Sequence, residues 1–203
     1  MNHYVRWEHR NPEFANLKFE NQDLVMFYHG DGGAQIDNLM EDNNLSHIER
    51  VAPELVVVEI GTNDIANGCF GPAVLELKVE SLIKELKDRK VRFIVINQVI
   101  YRGEGAYPDM TERDRKNAMR LFQCKTVSYN IQCEKRINKI PNCMFKKHQG
   151  LWSDIESCVD KRGTHLNDNG HKKLFNSLRS GVMRAMRKIR PAKYRQQQIQ
   201  VVA

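Results

Sequence analysis

The run Leu55-Val56-Val57-Val58-Glu59-Ile60 starts just after Pro53 and stops at Gly61-Thr62-Asn63-Asp64. It constrains this chain more than any other stretch. A short, mostly β-branched apolar run bounded by turn formers reads as a strand buried on both faces, as at the centre of a parallel sheet. Ligands of open α/β sheets bind beyond the carboxyl ends of such strands, which is where Gly61 to Asp64 fall. Gly61 allows a tight turn, and the Asn63 carboxamide can donate a hydrogen bond to an anion. On these residues alone the exit is either a binding corner or an Asx-type turn.

The rest of the chain supplies partners for that strand. Leu24 to Tyr28 is a second apolar run, followed by His29-Gly30-Asp31-Gly32-Gly33-Ala34, a loop that tolerates positive φ. Ile36, Leu39, Met40, Leu45 and Ile48 recur at helical spacing. Pro72 stands well at the first position of a helix whose apolar face is Val74, Leu75, Leu77, Val79, Leu82, Ile83 and Leu86. Val91 to Ile100 reads as another buried strand, and Tyr101 to Met110 as a loop. Thr111 to Ile140 reads as a helix capped by Thr111 or Asp109, with Leu121, Phe122, Val127, Ile131 and Ile137 inward. Cys143 to Phe145 is a strand candidate, and the last helix spans about Asn169 to Ile189. Residues 1–22 show no strong periodicity. Strands alternating with helices predict a parallel sheet between helical layers, built from residues 1–189 as one domain, with 190–203 as a polar, disordered tail.

Composition narrows the function. The 203 residues are 41% hydrophobic and 28% charged, as in globular proteins. Lys and Arg exceed Asp and Glu, 32 to 25, and much of the excess sits near the C-terminus. That leaves open a nucleic-acid contact through the basic C-terminal region, against a solvated helix face as the alternative. No stretch is apolar enough to span a membrane, and Met1 to Arg10 lacks a signal-peptide core, so an intracellular location is expected. The five cysteines have no C-x-x-C spacing and read as reduced thiols. His29 and His148 read as incidental, since neither belongs to a ligand set. There is no phosphate loop, dinucleotide glycine fingerprint or H-E-x-x-H pair.

Three loops, carrying Gly32-Gly33-Ala34, Gly61-Thr62-Asn63-Asp64 and Gly163-Thr164-His165-Leu166-Asn167 with Gly170, stand in an order and spacing that resemble the later sequence blocks of the SGNH hydrolases, or GDSL-type esterases. His148 to Trp152 and the late Leu178-Arg179 helix are similar to SGNH-like domains of invertebrate, retroelement-rich genomes. The resemblance covers about residues 3 to 185. It implies a three-layer α/β/α sandwich with a flavodoxin-like parallel sheet, no cofactor, no metal, and a small acyl ester or acetylated carbohydrate as substrate. In such enzymes a first-block serine attacks the carbonyl, a last-block histidine takes its proton, and an aspartate three residues earlier orients the ring. Backbone and asparagine donors hold the oxyanion, and loss of one typically costs about 10²–10³ in rate. By residue match Gly33 and Asn63 are the implied oxyanion donors and His165 the base, with Gly61, Asp64 and Asp160 supporting the site loops.

Two departures set expectations apart from the family. No Gly-Asp-Ser block is present. Met1 to Arg10 looks like sequence that follows such a block, so a truncated domain with a missing or altered first strand is expected. Gly30-Asp31-Gly32 admits a second reading, as a first block with glycine in place of serine. Arg162, not aspartate, stands three residues before His165, and a cation there opposes protonation of the ring. Asp160 reaches the ring only if the loop bulges. A chain without turnover is the resulting expectation, with a nucleic-acid-binding module of a mobile-element protein as the alternative.

Overall fold

Three short strands alternate with long helices. A computed structural model describes residues 3–20, 24–30, 32–68 and 71–191. The strands are β1 (Leu55–Val58), β2 (Phe93–Asn97) and β3 (Cys143–Lys146), all parallel, in the order β1-β2-β3. The helices are α1 (His3–Arg10), α2 (Ile36–Met40), α3 (Asp42–Val51), α4 (Thr62–Asn67), α5 (Pro72–Asp88), α6 (Glu112–Ile137) and α7 (Asp168–Ile189). Alternate residues of β2 enter different cores, as the two-residue repeat of a strand requires. Ile94 and Ile96 pack with α3, α5 and α6, while Phe93 and Val95 pack with Trp7, Leu17 and α7. The sheet is thus sandwiched between two helical layers. Asp31, Cys69 and the tail from residue 192 lie outside the described residues.

The helices follow their sequence signals at their ends. α5 starts with Pro72 after the N-cap Gly71, and the Thr111 hydroxyl caps α6 by accepting from Asp114 N. Asn167 caps α7, its Oδ1 accepting from Gly170 N at 3.0 Å. Their inward faces are narrower than apolar content suggests. In α5 the buried stripe is Leu75, Val79, Leu82, Ile83 and Leu86, which leaves Val74 and Leu77 exposed. In α6, Phe122 and Ile137 face inward, but Leu121 and Ile131 are exposed and Val127 is half-buried. Thr126 and Asn130 take inward positions instead. Both are satisfied there: Thr126 donates to Phe122 O, and Asn130 bonds Val99 N and O at 2.9 and 3.0 Å.

Two strand expectations are corrected. β1 is not the sheet centre: among the described residues it pairs only with β2, and Leu55 to Val57 are half-buried. The strand buried throughout is β2. Leu24 to Tyr28 forms no strand. Two of its backbone groups go to one side chain: Asn16 Oδ1 accepts from Met26 N at 2.9 Å, and Asn16 Nδ2 donates to Leu24 O at 2.7 Å. Leu24, Met26 and Tyr28 still pack inward, whereas Val25 and Phe27 are 56% and 70% exposed. The N-terminal stretch without visible periodicity forms α1 and a kinked 3₁₀ segment, Pro12–Lys18, and its Trp7 is fully buried against Phe14 and His171.

Candidate active site

The exit of β1 turns directly into α4, so Asn63 and Asp64 sit in a helical first turn and not in an open loop. Gly61 makes that turn with φ +114°, and a Cβ there would come within 2.9 Å of Val99 Cγ2. Only glycine fits both demands. Asn63 Nδ2 donates to Ala34 O at 3.0 Å, and its Oδ1 accepts from Arg102 Nη2 at 3.1 Å. Buried Asp64 accepts from Ile36 N at 3.1 Å through Oδ1, which ties the start of α2 to α4. Burial pushes its carboxyl above the ordinary range, against the Ile36 amide. Gly33, at φ +79°, precedes the Ala34 carbonyl that Asn63 holds, with nothing within 4 Å of where a Cβ would stand. Gly33, Gly61, Asn63 and Asp64 therefore form one corner, joined by Arg102.

His165 lines a groove with Arg6, His9, Arg10, Asp160, Arg162 and His171, and neither Gly33 nor Asn63 is among its lining residues. A single bridge between Val159 and Leu166 closes the loop and sets Asp160 opposite His165, with Asp160 N donating to His165 O at 2.7 Å. The Asp160 carboxylate accepts from Arg162 N and from Arg162 Nε, both at 3.1 Å. Partial burial would raise its pKa, but the Arg162 guanidinium and the His165 and Arg162 amides outweigh that and hold it below the ordinary value. Asp160 is thus an ionised anchor of the loop, bonded to Arg162 and to backbone.

One loop spans the two half-sites. Residues 101–106 carry Arg102 to Asn63 at one end, and Gly103 N donates to Gly163 O at 2.8 Å at the other. The approach is close: a Cβ on Gly105 would run into the Lys161 carbonyl, and one on Gly163 would come within 2.6 Å of Ala106 N. In the sequence Tyr101 to Met110 reads as a loop, and Arg102 belongs to no motif there. Its position just past the end of a strand was the available signal.

A second polar cluster lies at the carboxyl ends of all three strands, on the α7 side. Glu59 follows β1, Asn97 ends β2, and His148 follows β3. His148 Nδ1 lies 2.9 Å from Ser177 Oγ on α7, and its Nε2 is 3.7 Å from Glu59 Oε1. His148 Nε2 is buried without a hydrogen-bond partner among the described residues. Burial pushes Glu59 up to about 7, against the Asn97 amide. Burial, with Lys146 adding to it, pulls His148 down to about 4. Hydroxyl, imidazole and carboxylate stand in a row, yet Ser177 and His148 are each only 4% exposed, which denies the hydroxyl a substrate. His148 is a core residue.

Residues 9–178, most of the chain, match the family model of the GDSL-like Lipase/Acylhydrolase. No curated protein matches. Among solved structures, a protein assigned as an acylhydrolase from Bacteroides fragilis aligns with a TM-score of 0.53 at 18% identity, over 91% of this chain and 84% of its own. A peptidoglycan O-acetylesterase aligns with a TM-score of 0.49 at 16% identity over 77% of this chain, which spans 45% of that protein. A lipase/acylhydrolase from Enterococcus faecalis aligns at 0.41 and 17% identity, over 73% of this chain and 70% of its own. The first of these three likenesses shows a shared fold, and the match to the family model shows that the chain belongs to the GDSL-like lipase/acylhydrolase family.

Proposed function

We propose that this chain is an acyl-binding domain of the SGNH type. It holds the carbonyl or carboxylate of a small acyl ester or acetylated carbohydrate at the Gly33–Asn63 corner and does not turn the ester over. The observation that carries this reading is the Asn63 carboxamide, held by Ala34 O and Arg102 Nη2. One Nδ2 hydrogen is engaged, and the amide has a second to offer an oxyanion. His165, whose loop is tied to the corner's through Gly103 and Gly163, is the histidine that matches the family's base.

Acyl transfer needs more than this. No Gly-Asp-Ser stands within these 203 residues, Arg162 takes the place of the aspartate three residues before His165, and the Asp160 carboxylate of that loop bonds Arg162. The alternative reading, nucleic-acid binding through the basic C-terminal region, has less behind it. Several described cations there are engaged within the chain: Arg190 pairs with Glu54, Arg179 lies over Phe19 and Lys188 over Phe93. Titrating ¹⁵N-labelled protein with acetate tests the acyl reading. The Gly33 amide and the Asn63 carboxamide signals should move together and saturate. Saturable shifts elsewhere with these two unmoved would refute it.

A further inference from the structure

The corner poses a question of orientation. A carboxamide has a donor end and an acceptor end of nearly the same shape, and only its neighbours decide which faces the ligand. An oxyanion needs the donor end, and the wrong rotamer would present a carbonyl oxygen that repels it. Ala34 O can only accept, so it calls for Nδ2. Arg102 can only donate, so it calls for Oδ1, at 3.1 Å from Nη2. The two neighbours agree, and between them they leave one orientation.

Arg102 is itself fixed. It is half-buried, its guanidinium carbon lies 5.6 Å from the centroid of the Phe122 ring, and its Nε is buried without a hydrogen-bond partner among the described residues. Burial lowers its pKa, with Tyr107 acting the other way, but a guanidinium remains charged throughout the accessible pH range. Its loop is clamped at the far side by the Gly103–Gly163 bond and the close packing of Gly105 on Lys161. The strand end that precedes it is braced by Asn130, whose carboxamide bonds both N and O of Val99. A short, braced loop thus delivers one cation to one side of one amide.

We infer that Arg102 is the positioning residue of the oxyanion corner: by donating to Asn63 Oδ1 it locks the carboxamide with Nδ2 toward the ligand, and its guanidinium biases the corner toward carboxylates and other oxyanions. This rests on the acyl-binding reading for the ligand, but not for the orientation of Asn63.

The test follows the Asn63 side chain directly. In wild-type protein the two Asn63 Nδ2 protons should be distinct, and the one bonded to Ala34 O slow to exchange with solvent. Asn63→Asp assigns them by their disappearance. Arg102→Met removes the donors and keeps the length of the stem, so it should collapse the Asn63 pair toward the exchange rate of an exposed asparagine. It should also weaken acetate binding about tenfold, the loss of one charge-assisted hydrogen bond, with backbone amide signals of β2 and α7 unchanged. Arg102→Lys, which can still donate, should keep the bonded Asn63 proton slow and recover most of the affinity. An Asn63 pair and acetate affinity that are unchanged in Arg102→Met would overturn the inference. So would wild-type Asn63 protons exchanging as freely as those of an exposed side chain, a result that depends on no variant folding. If wild-type protein binds no acetate, the acyl reading fails while the Asn63 exchange rates still decide the role of Arg102.

Discussion

Replacing Glu59 by glutamine should stabilise this protein above neutral pH and leave its stability unchanged in acid. Glu59 sits at the end of β1 beside buried Asn97 and His148, and burial raises its pKa from 4.5 to about 7. A group that binds its proton more tightly folded than unfolded adds stability only where that proton is bound. Above pH 7 the carboxylate is ionised in both states, and the cost of partly desolvating its charge falls on the folded one. At about 1.4 kcal/mol per pH unit the ceiling is roughly 3 kcal/mol. The side chain is 37% exposed, so solvent screening brings the expected gain in Glu59→Gln to about 1 kcal/mol at pH 8. His148 adds a second signature, because burial lowers it from 6.5 to about 4. In the unfolded chain a single proton goes to His148, and in the folded chain it stays on Glu59. Between pH 6.5 and 4.5 both states of the wild-type pair hold one proton, and stability from this pair is level. In Glu59→Gln only the His148 slope is left, so stability falls as pH drops from 6.5 toward 4. Urea unfolding of both proteins at pH 4.5, 5.5 and 8 measures this. An equal difference at pH 4.5 and pH 8, or a less stable variant at pH 8, would refute the reasoning.

Other substitutions probe the frame of the site. Gly61→Ala combines φ +114° with a 2.9 Å approach to Val99 Cγ2 and should cost about 2–3 kcal/mol in urea unfolding; a loss under about 0.5 kcal/mol would show that the turn relaxes freely. Trp7→Ala empties a fully buried site against Phe14 and His171 and should cost about 3–5 kcal/mol, read as a fall in the thermal midpoint. An unchanged midpoint would mean that α1 does not hold the second core together.

Much of the frame was legible from local signals. The apolar run ending in Gly61, the Pro72 start of α5 and the Asn167 cap of α7 each depend on residues a few positions apart, and each appears near its expected place. What was not legible depends on distant partners. Leu24 to Tyr28 has the composition of a strand, but a strand is made by its neighbour, and Asn16 takes two of its backbone groups instead. The inward face of α6 is hidden in the sequence because Thr126 and Asn130 are polar, and only the fold shows that Phe122 O and Val99 satisfy them. Trp7 sits in a stretch without visible periodicity because one large side chain, not a repeated stripe, anchors it to α7. Arg102 lacks any motif; its meaning comes from Asn63, thirty-nine positions earlier.

Membership of a hydrolase family and the proposed acyl-binding role without turnover make opposite predictions for the ester. Among the described residues no helix is long and apolar enough to cross a membrane. The most direct measurement is release of p-nitrophenol from p-nitrophenyl acetate by the purified chain and by His165→Ala. The account predicts the buffer rate for both. Hydrolysis well above background in the wild type, abolished in His165→Ala, would contradict it and show a working nucleophile within these residues.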